Sequence, residues 1–172
     1  MRRSSATALA MEHPTDAYPR PGDLLPHADP WILLSDVLDH GSHHTTCLVR
    51  VRDNGLFRPR DGRVPAWIGL EYMAQCIAVH GGLSGRVGGE PPKIGLLLGS
   101  RRLEMHIAGF LPDQVLEVTA QHVWGDRGLF VFACSLHDRH SRALLMRGNL
   151  SVFRSPHPGS DPLPPGAFPE TG

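Results

Sequence analysis

No stretch of this sequence approaches the ~18 consecutive apolar residues that a membrane-spanning helix needs, so no span is expected. The basic start, MRRSSATALAMEH, is not followed by the apolar core of a secretory signal. Net charge is also missing. Seventeen Lys and Arg balance 17 Asp and Glu, whereas nucleic-acid-binding domains usually carry a basic excess, so no nucleic-acid partner is expected. Cysteines are few, three in 172 residues, and none forms a CxxC pair. Cys47, Cys76 and Cys134 therefore read as small buried hydrophobes of a reducing cytoplasm, not as a disulfide frame or zinc knot. Glycine-rich phosphate loops, metal-ligand spacings and internal repeats are all lacking, so no metal, nucleotide or flavin cofactor is expected.

What is present suits a single globular domain: 41% hydrophobic and 20% charged residues. Nineteen Gly and 16 Pro concentrate outside the apolar segments. Residues 1–21 are polar and aperiodic, and residues 155–172 are proline-rich, so both read as disordered tails around a folded unit at 22–154. Within that unit Trp31–Leu38 and Thr45–Arg52 read as strands. Pro65 suits a first helical turn, Ala66–His80 continues it, and Gly81-Gly82 is expected to end it. Its apolar stripe is Trp67, Leu70, Ala74, Ile77 and Ala78, widened by Ile68 and Met73. Beyond a linker at Gly85–Pro92, Lys93–His106, Val115–Val123, Leu129–His137 and Ala143–Phe153 read as four strands. Two strands, one long helix and four strands predict an α+β fold, an antiparallel sheet wrapped around a central helix. A barrel with a plug helix has the same strand list. One helix cannot cover so large a sheet, so a dimer with its site at the interface is expected.

Glu71 stands out within that apolar helix. Burying it charged costs several kcal/mol unless it is paired or protonated. It is either a rim carboxylate held by a backbone group or an Arg, or a carboxyl kept available for acid–base chemistry by its surroundings.

Three motifs in order resemble a known family. Pro65-Ala66-Trp67-Ile68-Gly69-Leu70-Glu71-Tyr72-Met73-Ala74-Gln75 is similar to the central-helix motif of the hotdog-fold 3-hydroxyacyl-[acyl-carrier-protein] dehydratases. Leu24-Leu25-Pro26-His27 resembles that family's N-terminal Leu-Pro-His motif, and Leu111–Val118 resembles its Pro-Gly-Asp-Gln segment. The wording of Val64–Gln75 and Gly95–Arg102 looks most like the dehydratase-like proteins of aryl-polyene clusters. One departure is plain. The family's Gly-His-Phe-Pro loop, whose His is the base, is replaced at Asn54–Arg63 by a segment with no histidine.

The resemblance implies dehydration of carrier-bound 3-hydroxyacyl chains by a base, an acid and an oxyanion donor. Glu71 is the expected acid. His27 is the first candidate base, against a structural role in its loop, and His106 is the second. His43, His44, His137 and His140 fall in expected turns. His80 falls at the expected helix end, where a cation favours the dipole. The Ala66 N–H takes the oxyanion position. Trp67 and Leu97, with Leu96, Leu98 and Met73, are candidates for an acyl tunnel, although core packing explains each as well. Arg101 and Arg102, with Arg58, Arg60 and Arg63, are candidates for docking an acidic acyl carrier protein. Partners would be that carrier and a second copy or a second dehydratase-like subunit. A hotdog thioesterase and a non-catalytic partner subunit are the competing readings.

Overall fold

The computed structural model describes residues 17–52, 62–87 and 95–154. A 3-10 turn at Pro21–Asp23 precedes eight strands and one helix: β1 Asp36–His40, β2 His44–Arg50, β3 Val64–Pro65, α1 Ile68–Val87, β4 Gly95–Met105, β5 Gly109–Phe110, β6 Val115–Asp126, β7 Leu129–Asp138 and β8 Leu144–Arg154. Six of them form one antiparallel sheet in the order β1-β2-β6-β7-β8-β4. The short strands β3 and β5 pair separately beside the start of α1.

The sheet follows from alternation. Along β6, Leu116, Val118 and Ala120 are buried, while the residues between them are partly exposed. Arg127 and Gly128, both at positive φ, make the tight turn to β7. The inward residues of β2, β6, β7 and β8 join Ile68, Tyr72, Met73, Cys76 and Ile77 of α1 in one core cluster. All three cysteines are buried and free.

The α+β expectation of a large antiparallel sheet around one helix is what the structure has. Several boundaries differ. The expected first strand at Trp31–Leu38 is a strand only from Asp36. Ahead of it Leu33 gives its N–H to the Gln75 side chain instead of a neighbouring strand. The helix does not stop at Gly81-Gly82 but continues to Val87. Gly82 is there for contact: a Cβ would lie 3.1 Å from the Leu24 carbonyl oxygen. The buried side also differs from the expected stripe. Trp67 precedes the helix and is 60% exposed, whereas Tyr72, Gln75, Cys76, Val79 and Leu83 are buried. Tyr18 packs against the core ahead of the expected boundary at residue 22. The remaining parts of both tails, the loop carrying Arg58 and Arg60, and most of the expected linker lie outside the described residues.

Candidate active site

Glu71 lies in the first turn of α1, and Gln75 one turn further on the same face. Gln75 is 1% exposed and makes three hydrogen bonds. Its Oε1 accepts from Leu33 N–H at 2.9 Å, and its Nε2 donates to the Trp31 carbonyl at 2.8 Å and to Glu71 Oε1 at 2.9 Å. One amide thus fastens the segment before β1 to the helix and aims the carboxyl group. The sequence motif contained Gln75 but assigned it no role. Its spacing of four from Glu71 was the available signal.

His27 comes from the same N-terminal segment. Its Nε2 is 3.9 Å from Glu71 Oε1. That is beyond direct hydrogen-bond length, so the two polar groups face each other with a gap. Their side chains are 37% and 43% exposed, so Glu71 is not a buried carboxylate. Tyr72, next in sequence, points into the core against Phe110, and burial pushes its hydroxyl up to about 12.

His27 and Glu71 open onto a cavity of about 340 Å³. Ala74, Ala78 and Gly81, the less buried positions of α1, form one wall. Leu97 of β4 borders the cavity as well. Its far part is lined by Phe130, Phe132, His80 and His122. Trp67 does not line it, and Met73 is a fully buried core residue.

Two expectations require correction. The Ala66 N–H, expected to face a thioester oxygen, donates to the Ala108 carbonyl at 3.2 Å, extending the β3–β5 pairing into the helix start. His80 is not at the end of the helix. It is 8% exposed, and its Nδ1 is 2.9 Å from Thr45 Oγ1, which also meets His40 Nδ1 at 2.7 Å. Burial, then the neighbouring His40, hold His80 down to about 4, so it is neutral near pH 7 and no partner for a helix dipole. The sequence did carry a signal for His122. Leu116, Val118, Ala120 and His122 alternate on β6.

The other candidates lie apart. His106 is 3.8 Å from Glu104 Oε2, half exposed, and does not line the cavity. His44 pairs with Asp39 at 2.6 Å. Arg101 and Arg102 are exposed on β4, the end strand of the sheet, with Arg102 at positive φ.

The family described as ApeP-like, ApeP dehydratase, matches residues 19–161. No curated protein sequence matches. Among solved structures, the dehydratase heterocomplex ApeI:P from Xenorhabdus doucetiae is similar at 28% identity and TM-score 0.73, covering 80% of this chain and 91% of that one. Zebra fish thioesterase superfamily member 2 aligns at 16% identity and TM-score 0.58, covering 78% and 89% of the two chains. The E. coli PaaI protein of the phenylacetic acid degradation operon aligns at 10% identity and TM-score 0.56, covering 69% and 82%. These two likenesses speak to the hotdog fold alone. The motif order, the helix-in-sheet architecture and a family match across nearly the whole folded unit agree, and the chain belongs to the ApeP-like dehydratase family.

Proposed function

We propose that this dehydratase removes water from 3-hydroxyacyl chains held as thioesters on an acyl carrier protein, in aryl-polyene or related lipid biosynthesis. The observation that carries the reading is the His27–Glu71 pair, 3.9 Å apart over a cavity that follows α1. Neutral His27 takes the proton from C2. Protonated Glu71 delivers a proton to the C3 hydroxyl, which leaves as water while the C2–C3 double bond forms. The imidazolium and carboxylate left behind exchange the proton across their 3.9 Å gap through the water just released, which resets the site. Because Ala66 N–H is engaged, the thioester oxygen takes its donor from another backbone group at the helix start, Ile68 N–H at the first position of α1. Leu97, which borders the cavity, guides the chain. Arg101 and Arg102 receive the acidic carrier. Three buried free thiols suit a reducing cytoplasm.

A second subunit of dehydratase type completes the site, as the relative from Xenorhabdus doucetiae is a heterocomplex by its description. One observation favours a second reading, a non-catalytic subunit that shapes its partner's tunnel: residues 54–63 contain no histidine. A single experiment separates the readings. The protein, alone and with a dehydratase partner, is incubated with a 3-hydroxyacyl carrier substrate and the products are weighed. Loss of one water supports dehydration. Release of the free acid indicates a thioesterase, and no change in either setting indicates the non-catalytic role. Glu71→Gln should keep the fold and lower dehydration by about 10²-fold or more. Normal turnover would show that the acid lies elsewhere.

A further inference from the structure

The sheet has a second face, turned away from α1, and its two halves differ. Phe130 and Phe132 of β7 line the substrate cavity, so Val131, Ala133 and Ser135 between and beyond them face outward. Trp124 of β6 stands opposite Val131 and shares its face. Val152 and Arg154 of β8 border the cavity, so Phe153 between them also faces outward, beside its strand partners Leu129 and Leu96. One half of the outer face is therefore apolar. Trp124 is its most prominent member, 50% exposed. The ladder slips between His122 and Trp124, where Val123 is the extra residue, and such a bulge re-aims the side chain beside it.

The other half is a groove of about 310 Å³. Its floor is Ala133 and Ser135, both small. Thr119 and Gln121 of β6 form one wall, and Arg147 and Asn149 of β8 form the other. The side chains of Gln121, Ser135 and Asn149 make no hydrogen bond among the described residues. Gln121 precedes Trp124 by three residues, about 10 Å along the strand, so a large aromatic ridge and a hollow of matching size lie side by side on one surface.

We infer that this outer face is a self-complementary interface on which a second copy of this chain docks, each copy's Trp124 seated in the other's groove. A two-fold axis running across the strands, between the Trp124–Val131 pair and the Gln121–Ala133 pair, brings ridge and hollow together twice. Face-to-face sheet packing at about 10 Å allows that interdigitation. The groove's chemistry suits an indole. Its uncommitted amides and hydroxyl accept the ring N–H, and the Arg147 guanidinium can lie on the ring face. Charge does not oppose the contact. Arg147 is paired with Glu104 at 2.8 Å, and the chain as a whole has 17 Lys and Arg against 17 Asp and Glu. Arg102 borders the groove from β4, three strand spacings or about 14 Å from β6, so the seated ring leaves it to the carrier.

The test is the mass of the assembly in solution, measured by sedimentation at micromolar concentration on the full chain, alone and in complex with a dehydratase partner. Trp124→Ser removes the ridge, and Ala133→Arg fills the hollow. Both positions face outward, and thermal melting checks that each variant folds. Ser135→Arg, at the next outward position of β7, replaces Ala133→Arg if that variant melts early. Each variant loses both copies of the contact, so self-association should weaken about tenfold or more and the assembly mass should fall by half. An equal mixture of a ridge variant and a hollow variant carries one intact hollow and one intact ridge. One contact returns, and the mixture should associate more tightly than either variant by itself. An assembly mass that folded Trp124→Ser leaves unchanged, alone and in complex, overturns the inference. A mixture no tighter than its components does so too, because the contact is then not reciprocal. None of these results bears on dehydration, whose groups lie on the other face of the sheet.

Discussion

Glu71 and His27 are held with unequal firmness. Glu71 sits on a helix and is aimed by a fully buried amide, while His27 belongs to a segment that the same amide fastens down through Trp31 and Leu33. Gln75 is therefore a positioning residue for both. Gln75→Leu leaves the Leu33 N–H and Trp31 carbonyl without their partner, at a cost of about 2 kcal/mol. Urea unfolding should show that loss as a lower midpoint at unchanged slope, and turnover should fall with kcat affected more than KM. Gln75→Glu keeps the acceptor but sets a buried carboxylate oxygen against the Trp31 carbonyl and the Glu71 carboxylate, so it should do at least as much harm to stability. A second prediction concerns His80. Unfolded, its imidazole binds a proton near 6.5; folded, burial and then His40 delay this to about 4. Between those values the unfolded chain holds more protons, so stability is full above about 6.5 and falls as pH drops toward 4, by up to about 3 kcal/mol. His40 is lowered by burial and then by His44, and acts in the same direction. Asp138, held at about 2 chiefly by Gln114, loses its stabilising effect as pH falls from the ordinary carboxylate value toward 2. Thermal unfolding from pH 7.5 to 4.5 should show the fall, and His80→Leu should flatten it. An equal slope in the variant would mean that His80 is not the group responsible.

The helix and the strands show how much of the fold can be read from sequence. β2, β6, β7 and β8 were legible because alternation and β-branched residues report directly on a half-buried sheet, whereas β4, with no β-branched residue and mostly exposed, was legible only from its short apolar run. The helix start expected at Pro65 came three residues early, since Pro65 pairs with Gly109 in β3 and the helix begins at Ile68, and its end was missed as well. A Gly-Gly pair usually marks a stop, but here Gly82 makes room for the Leu24 backbone and Gly81 borders the cavity. Gly82 answers to a tertiary neighbour that no local window contains, while Gly81 faces the open space of the cavity. The first strand was overextended for a similar reason, because the Gln75 side chain takes up the Leu33 N–H from 42 residues away. In the site, Glu71 and His27 came from motifs, while the Gln75 clamp and the inward-facing His80 needed the packed structure. Gly81 turns this into a prediction. A Cβ there meets nothing within 4 Å, so Gly81→Ala should stabilise the helix by about 0.5–1 kcal/mol. Gly81→Leu should fold equally well but fill the middle of the cavity. Short 3-hydroxyacyl substrates should then keep most of their kcat/KM, and long ones should lose it. Uniform loss across chain lengths would show that the chain does not run along α1.

At the scale of the whole molecule, the sheet is unfinished on one side among the described residues. β4 is the terminal strand, paired with β8 along its inner edge. It is the most exposed of the long strands, and Leu97, Leu98 and Met105 are 40%, 58% and 50% exposed on it. An exposed end strand with large apolar side chains is an aggregation hazard unless another chain covers it. The cavity reaches the same edge through Gly95 and Leu97, so a subunit docked along β4 would close the substrate path as well as the sheet. This joins the two needs of the proposed function, a second subunit and a sheltered chain. Leu98 separates them, because it is exposed on β4 but does not line the cavity. Leu98→Lys should leave the monomer folded, with an unchanged melting temperature within about 2 °C, since exposed substitutions rarely exceed about 0.5 kcal/mol. Association should weaken by about tenfold or more, because a charge is placed where an apolar contact is required. Sedimentation of the wild type with a dehydratase partner, and by itself, establishes the assembly against which the variant is compared. If the variant assembles as the wild type does, β4 is not the interface and the partner must cover another surface. If assembly is lost and dehydration of a carrier-bound substrate is lost with it, the cavity is completed only when that edge is closed.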